Sequence, residues 1–312
     1  MKRMIIAAAA TLLAASTSYA GTIGISIASN DTWLAVMVDA MKTEAAKTSQ
    51  PLQIEFADQD VTKQISQVQN FIADKADAII VNVVDSTASP EITKMAAEAG
   101  IPLIYVNNTP SDLDKLGPKA AFIGSQESEA GTLETQEVCR ILKEKGKTDD
   151  AGILIIQGVL ASHAAQARTK AVHDVVATED CKFLKIIDEQ TASWDPVKAQ
   201  DLMTNWITAG YKPAAVIANN DEMAIGAINS LKAAGYSMDD IVVAGIDATR
   251  EAKNFVKSGD LDVTVFQDAV GQGAGAVDAA VKFAKGEEVK SPIWIPFELV
   301  NKANVDTYLD KN

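Results

Sequence analysis

Two doubly wound α/β lobes, each built on a parallel sheet, are the fold this sequence predicts, and three observations carry the prediction. From Gly21 onward, short apolar segments of strand length alternate with longer amphipathic ones, an order that calls for parallel strands with right-handed crossovers. Ala76-Asp77-Ala78-Ile79-Ile80-Val81-Asn82 in the first half is echoed by Pro213-Ala214-Ala215-Val216-Ile217-Ala218-Asn219 in the second. The length of 312 residues fits about two domains of ~100–200 residues each.

The elements follow in turn. Thr22 to Ile27 reads as the first strand and Leu34 to Thr48 as the first helix. Leu52 to Ala57 is a strand, and Val61 to Asp74 a helix with Ile65, Val68 and Ile72 on one face. Ala78 to Val81 is apolar throughout, the pattern of a strand buried on both faces. Pro90 to Ala99 is helical and stops at Gly100, a C-cap signal; Pro102 to Val106 is the next strand. The cycle restarts with a helix over Gly131 to Lys145, a strand over Gly152 to Gln157 and a helix over Ala164 to Ala177. Phe183 to Asp188, Ala214 to Ala218, Ile241 to Ile246 and Val263 to Phe266 read as strands. Pro196 to Ala209, Met223 to Ala234, Arg250 to Ser258 and Gly273 to Lys285 read as helices. No Pro- or Gly-rich tether separates the halves, so several short crossings are expected, the last near Ile295-Pro296.

The first twenty residues read as an address. Lys2 and Arg3 precede an apolar run from Met4 to Ala15, and Ser18-Tyr19-Ala20 forms a small-x-small cleavage site, the layout of a secretory signal peptide cut before Gly21. The apolar run is too short to span ~30 Å of hydrocarbon. Gly21 rather than a cysteine stands directly after the cut, so nothing there could carry a lipid; a Gram-negative periplasm is the expected compartment and no stable membrane insertion is expected. The formal net charge of −14 becomes −16 without Lys2 and Arg3, which argues against nucleic acid or anionic membrane as partners and favours a soluble monomer. Cys139 and Cys181 are the two cysteines; in an oxidising compartment they could pair, or each could be buried singly. With the two histidines, His163 and His173, they do not make a zinc-ligand spacing, and neither metal nor cofactor is expected.

Polar residues gather at the strand ends. Asn30-Asp31-Thr32-Trp33 follows the first strand, Asn82 and Asp85 another, and Asn107-Asn108 a third. Asn219-Asn220-Asp221, Asp247 and Gln267 do the same in the second half. Ligands of open α/β sheets bind beyond the carboxyl ends of the strands, so two facing lobes would aim this set into one cleft. Some of these residues should instead cap the following helix, a role expected of Asp221 and Asp85. Amides and carboxylates match the donors and acceptors of hydroxyl groups, and a carboxylate makes the stronger, charge-assisted bond. Arg168 can donate several bonds from a planar fork. Trp33 and Trp194 sit among polar residues, where an indole can stack on the C–H face of a sugar or cyclitol ring.

These residues carry a family likeness. The chain from Gly21 to Lys302 resembles the periplasmic sugar-binding proteins of the ribose, galactose and inositol group, whose type I fold joins two Rossmann-like lobes by three hinge crossings. The most specific segment is Ile217-Ala218-Asn219-Asn220-Asp221-Glu222-Met223-Ala224-Ile225-Gly226-Ala227. Asp58-Gln59-Asp60, Ala167-Arg168-Thr169, Val243-Ala244-Gly245-Ile246-Asp247 and Val265-Phe266-Gln267 support it. The resemblance implies an N-terminal lobe of residues 21–125 and 268–295 and a C-terminal lobe of 126–267 and 296–312. It also implies a ligand site formed by Asp31, Trp33, Asn82, Asn107, Arg168, Trp194, Asn220, Asp247 and Gln267. Asn108 stands where ribose-type proteins have an arginine, which puts a copied pentose site in doubt, and the calcium loop of galactose-type proteins has no counterpart. Val263 to Gly273 and Ile293 to Val300 are most similar to the inositol and rhizopine branch.

The implied function is that of an ABC importer's solute-binding protein, closing by a hinge on a neutral polyol. Myo-inositol or a related cyclitol is favoured, with a hexose or ribose-type sugar as the alternative. The implied partners are an inner-membrane permease and, for a chemotactic or signalling role, a chemoreceptor. An enzyme would need a nucleophile and base; His163 could face the cleft, but no Ser or Cys motif accompanies it. A sugar-responsive repressor of the same fold would begin with a helix-turn-helix rather than an export signal.

Overall fold

The computed structural model describes residues 21–312; the signal-peptide reading falls on residues 1–20, outside the described residues. The first sheet takes β1 (Ile23–Ile27), β2 (Leu52–Phe56), β3 (Ala78–Val81), β4 (Leu103–Val106), β5 (Ala120–Gly124) and, from far along the chain, β11 (Ile293–Trp294), in the order β11-β5-β4-β3-β1-β2. The second takes β6 (Ala151–Gln157), β7 (Leu184–Thr191), β8 (Ala215–Ala218), β9 (Val242–Ala244), β10 (Val263–Phe266) and β12 (Glu298–Asn301), ordered β12-β10-β9-β8-β6-β7. Every pairing is parallel except β10 with β12.

Helices cover both faces of each sheet, which is why the central strands Ala78–Val81 and Ala215–Ala218 are buried at every residue. On the first sheet, α1 (Thr32–Lys47) and α9 (Ala269–Ala284) share one core, while α2 (Val61–Ala73) and α3 (Ser89–Ala99) share another. On the second, α4 (Glu127–Glu144) and α5 (His163–Val176) lie on one face. The other face carries α6 (Pro196–Thr208), α7 (Asp221–Ala233) and α8 (Arg250–Ser258). The chain therefore passes between the lobes three times, at 124–127, 266–269 and 294–298, as the predicted fold requires.

Several boundaries differ from expectation for identifiable reasons. α1 begins at Thr32 rather than Leu34 because Asp31 is its N-cap, the carboxylate accepting from the Leu34 amide at 2.8 Å. α9 begins at Ala269 rather than Gly273, since Asp268 caps it and its glycines are needed for contact. A Cβ at Gly273 would come within 2.3 Å of the Met37 carbonyl on α1. α4 begins at Glu127, its first turn being too polar to show apolar periodicity. β5 had no predicted counterpart, and neither had the short β11 and β12. The strand placed at Ile241 to Ile246 is regular over Val242–Ala244 alone.

Asp85 caps a short 3-10 turn as expected, accepting from the Thr87 amide. Asp221 does not cap α7: Asn220 is the cap, its Oδ1 accepting from the Met223 amide at 3.1 Å. The Asp221 carboxyl is instead buried between β10 and the start of α8, taking bonds from the Thr249 amide and the Thr264 hydroxyl. Cys139 and Cys181 are paired, tying α4 to the loop before β7. Among the described residues no helix is long and apolar enough to cross a membrane.

Candidate ligand-binding cleft

The carboxyl ends of the two sheets face each other across a cavity of about 200 Å³, smaller than the ~300–1,000 Å³ of pockets for drug-sized ligands and suited to a single ring. All nine residues predicted for the site line it: Asp31, Trp33, Asn82 and Asn107 from the first lobe, Arg168, Trp194, Asn220 and Asp247 from the second, and Gln267 at the crossing after β10. Four lining residues, Gln59, Asn107, Trp194 and Asp247, have positive φ (60°, 65°, 67° and 126°). Such conformations cost about 1–3 kcal/mol each in non-glycine residues and collect at functional sites.

The nine differ in how much bonding capacity they leave for a ligand. Asn82 is spent on the protein: its Oδ1 accepts from the Ala28 amide at 3.1 Å, and its Nδ2 donates to the Val106 carbonyl and Asn107 Oδ1. It ties the ends of three strands together and holds Asn107, whose own amide N–H groups stay available. Gln267 is similarly engaged, accepting from Arg168 at 3.2 Å and donating to Glu127 at 3.5 Å. Asn220 uses its oxygen as the α7 cap and keeps its amide donors.

Arg168 is almost fully buried and is held by Glu127 (Nε to Oε2, 2.7 Å), the Asn219 carbonyl (2.7 Å) and Gln267. Three of its five N–H groups are thus used, leaving two donors at the cavity. Its guanidinium carbon lies 5.9 Å from the Trp194 ring and 5.8 Å from Phe297. Burial opposes its charge, but Glu127 and Asp247 outweigh that and raise its pKa further.

Asp247 lies 3.8 Å from Arg168, and among the described residues its carboxyl accepts no hydrogen bond. Burial pushes its pKa well above the ordinary range, with Arg168 pulling the other way and the acidic neighbours Asp221, Asp31 and Glu127 adding to the rise. Asp31 is raised by burial as well, against bonds from the Leu34 amide and Ser29. Glu134, behind Arg168 on α4, is buried with neither oxygen partnered, and burial raises its pKa strongly. One guanidinium thus stands among several carboxyls, two of which open on the cavity.

The indoles form walls from opposite lobes. Trp33 is anchored by a bond from its Nε1 to the Gln267 carbonyl at 3.1 Å. Trp194 lies so close over Gly158 that a Cβ there would meet the ring at 2.2 Å, so glycine is what admits the indole. His163 opens α5 but does not line the cavity, although its neighbours Ser162 and Ala164 do. Residues the sequence reading passed over include Glu127, the partner of Arg168, and the lining residues Ser29, Gln59 and Ser162; Asp85 and Asn108, noted at strand ends but not counted among the nine, line the cavity too. Glu127 follows β5, so recognising that strand would have exposed it.

Two facing α/β lobes with a polar, indole-walled cleft at their strand ends define a bilobal binding protein. The chain belongs to the periplasmic binding protein domain family, whose model matches residues 23–288. That family consists of binding proteins, and the chain is one of them rather than an enzyme. A "putative rhizopine-binding protein" of Rhizobium meliloti is 52% identical over 314 residues, covering 100% of both chains. An ABC transporter solute-binding protein of Bacillus halodurans, solved with bound myo-inositol, is 42% identical with a TM-score of 0.87, over 94% of this chain and 98% of that one. The Caulobacter myo-inositol-binding protein, also solved with myo-inositol, is 25% identical with a TM-score of 0.83, over 93% and 96% of the two chains.

Proposed function

We propose that this protein is the solute-binding component of an ABC importer and captures a neutral cyclitol, myo-inositol or a close relative, in the cleft between its lobes. The observation that carries this reading is the cavity: one ring's worth of space, two indoles, and free donors and acceptors around it. The 42%-identical Bacillus protein holds myo-inositol in the same fold. Asp247 and Asp31 accept from ring hydroxyls, Arg168, Asn107 and Asn220 donate to them, and Trp33 and Trp194 cover the ring's C–H faces. Asn82 and Gln267 act mainly by holding Asn107 and Arg168. Residues 21–125 with 268–295 move as one lobe and 126–267 with 296–312 as the other, closing about the three crossings when ligand bridges them. The closed form engages an inner-membrane permease, and a chemoreceptor is a second docking partner.

Residues 1–20 direct export and are removed, placing the mature chain in the periplasm; the mass of protein from a periplasmic extract tests the cut before Gly21. A thermal-shift screen against myo-inositol, galactose, glucose and ribose tests the ligand, since a ligand of the folded form raises the melting temperature. A shift with myo-inositol alone supports the cyclitol reading. A shift with a hexose or ribose instead overturns the choice of ligand while keeping the binding mechanism.

A further inference from the structure

The segment from Val305 to Asn312 lies outside the cleft wall, yet it ends against the backbone that shapes it. A 3-10 turn over Val305–Tyr308 is anchored by Lys253, whose buried ammonium donates to the Tyr308 carbonyl at 3.0 Å and to that of Lys311. The Lys311 ammonium sits 5.0 Å from the Phe266 ring centre and 4.4 Å from that of Tyr308. These contacts deliver Asn312 to the end of β10. There its Nδ2 donates to the Gln267 carbonyl at 2.6 Å and the Asp247 carbonyl at 3.3 Å, and its Oδ1 accepts from the Ala269 amide at 3.0 Å.

Each of those three backbone groups matters to the cleft. The Asp247 carbonyl belongs to the residue at φ 126°, a conformation that persists only where surrounding bonds over-determine it. The Gln267 carbonyl is the one that also accepts from Trp33 Nε1, so a single oxygen joins the first lobe's indole to Asn312. The Ala269 amide lies in the crossing from β10 to α9.

We infer that Asn312 is a positioning residue for the ligand site: its amide fixes the Gln267 carbonyl that orients Trp33 and the Asp247 peptide that aims the carboxyl into the cleft. This rests on the cleft being the polyol site proposed above. Asn312→Ala removes all three bonds. Asn312→Asp keeps the acceptor for Ala269 but sets a carboxylate against two carbonyls.

The test measures myo-inositol affinity by titration calorimetry and, on the ligand-free protein, the indole N–H resonance of Trp33, assigned through Trp33→Phe. Asn312→Ala should weaken binding about tenfold, the worth of roughly one net hydrogen bond, and should move the Trp33 resonance. Asn312→Asp should do both at least as strongly, which covers the case that the alanine variant folds poorly. Unchanged affinity, or a Trp33 resonance that stays in place, overturns the assignment, whatever happens to the melting temperature. If wild-type protein binds no polyol, it is the reading of the cleft that fails, and the resonance alone then decides whether Asn312 positions Trp33.

Discussion

Replacing Asp247 with Asn keeps the size of the side chain and removes its charge, which makes it the sharpest probe of the cleft. Asp247 opens on the cavity beside Arg168, 3.8 Å away, with no hydrogen bond from the described residues, so two ligand hydroxyls can donate to it. Bonds to a charged acceptor contribute about 1.5–3 kcal/mol and neutral ones about 0.5–1.5. Two such bonds losing their charge assistance amount to about 2–3 kcal/mol, roughly 30- to 150-fold in Kd. Asp247→Ala, which removes both acceptors, should cost about 3–6 kcal/mol, or at least a hundredfold.

The pH dependence has a definite sign. Burial raises the pKa of Asp247 in the empty cleft, whereas hydroxyls donating to the carboxylate favour its ionised form and lower the pKa in the complex. Wild-type affinity should therefore rise with pH through the interval between the two pKa values, by up to about tenfold per unit, with a proton released on binding. Affinity of the Asn variant should be flatter, and the two should converge as the pH is lowered. Titration calorimetry from pH 5 to 8 measures this. Equal Kd values for wild-type, Asn and Ala proteins, all folded by circular dichroism, would remove Asp247 from the site.

Gly158→Ala forces the Trp194 ring from its place, since the new Cβ would lie 2.2 Å from it; losing one stacking wall should weaken myo-inositol binding about three- to tenfold by titration. Reducing the Cys139–Cys181 bond, which closes a separation of 42 residues, should cost about 4 kcal/mol of stability on the chain-entropy account. Ligand affinity should survive reduction, because neither cysteine lines the cavity; melting curves and titration with and without reductant separate the two effects. Asp221, buried between Thr249 and Thr264, has its pKa pushed up to about 7 from 3.8, chiefly by burial. The folded state then binds more protons than the unfolded chain between those values, so this group's contribution to stability is full below pH 3.8 and is lost as the pH rises to about 7. Asp221→Asn, whose amide can donate to Thr264 while its oxygen accepts from Thr249, should flatten that part of the stability–pH curve measured by urea unfolding.

The sequence showed the central strands plainly because burial on both faces makes them uniformly apolar, as at Ala78–Val81 and Ala215–Ala218. It showed the cleft as well, because polar residues directly after such strands have few other places to be. What it hid depends on partners distant in the chain. β11 is two residues long and exists only by pairing with β5, about 170 positions earlier. The first turn of α9 lies before the helix read from Gly273 onward, because its packing against α1 is a contact with a distant segment. Asn220 and Asp221 are neighbours of similar chemistry, and sequence cannot say which turns toward the helix end. The Thr264 hydroxyl on β10, two strands away, and the Thr249 amide together draw Asp221 inward.

The three crossings also govern how the protein comes into being. The core beneath the first sheet is completed by α9, and that sheet's edge by Ile293–Trp294, although the sheet itself begins at Ile23. During synthesis the first lobe has no lid over that core until the chain has been made nearly to its end. A nascent domain folds as a unit only once its parts have emerged. Interleaving the lobes therefore delays completion of the first lobe until after most of the second lobe has been made.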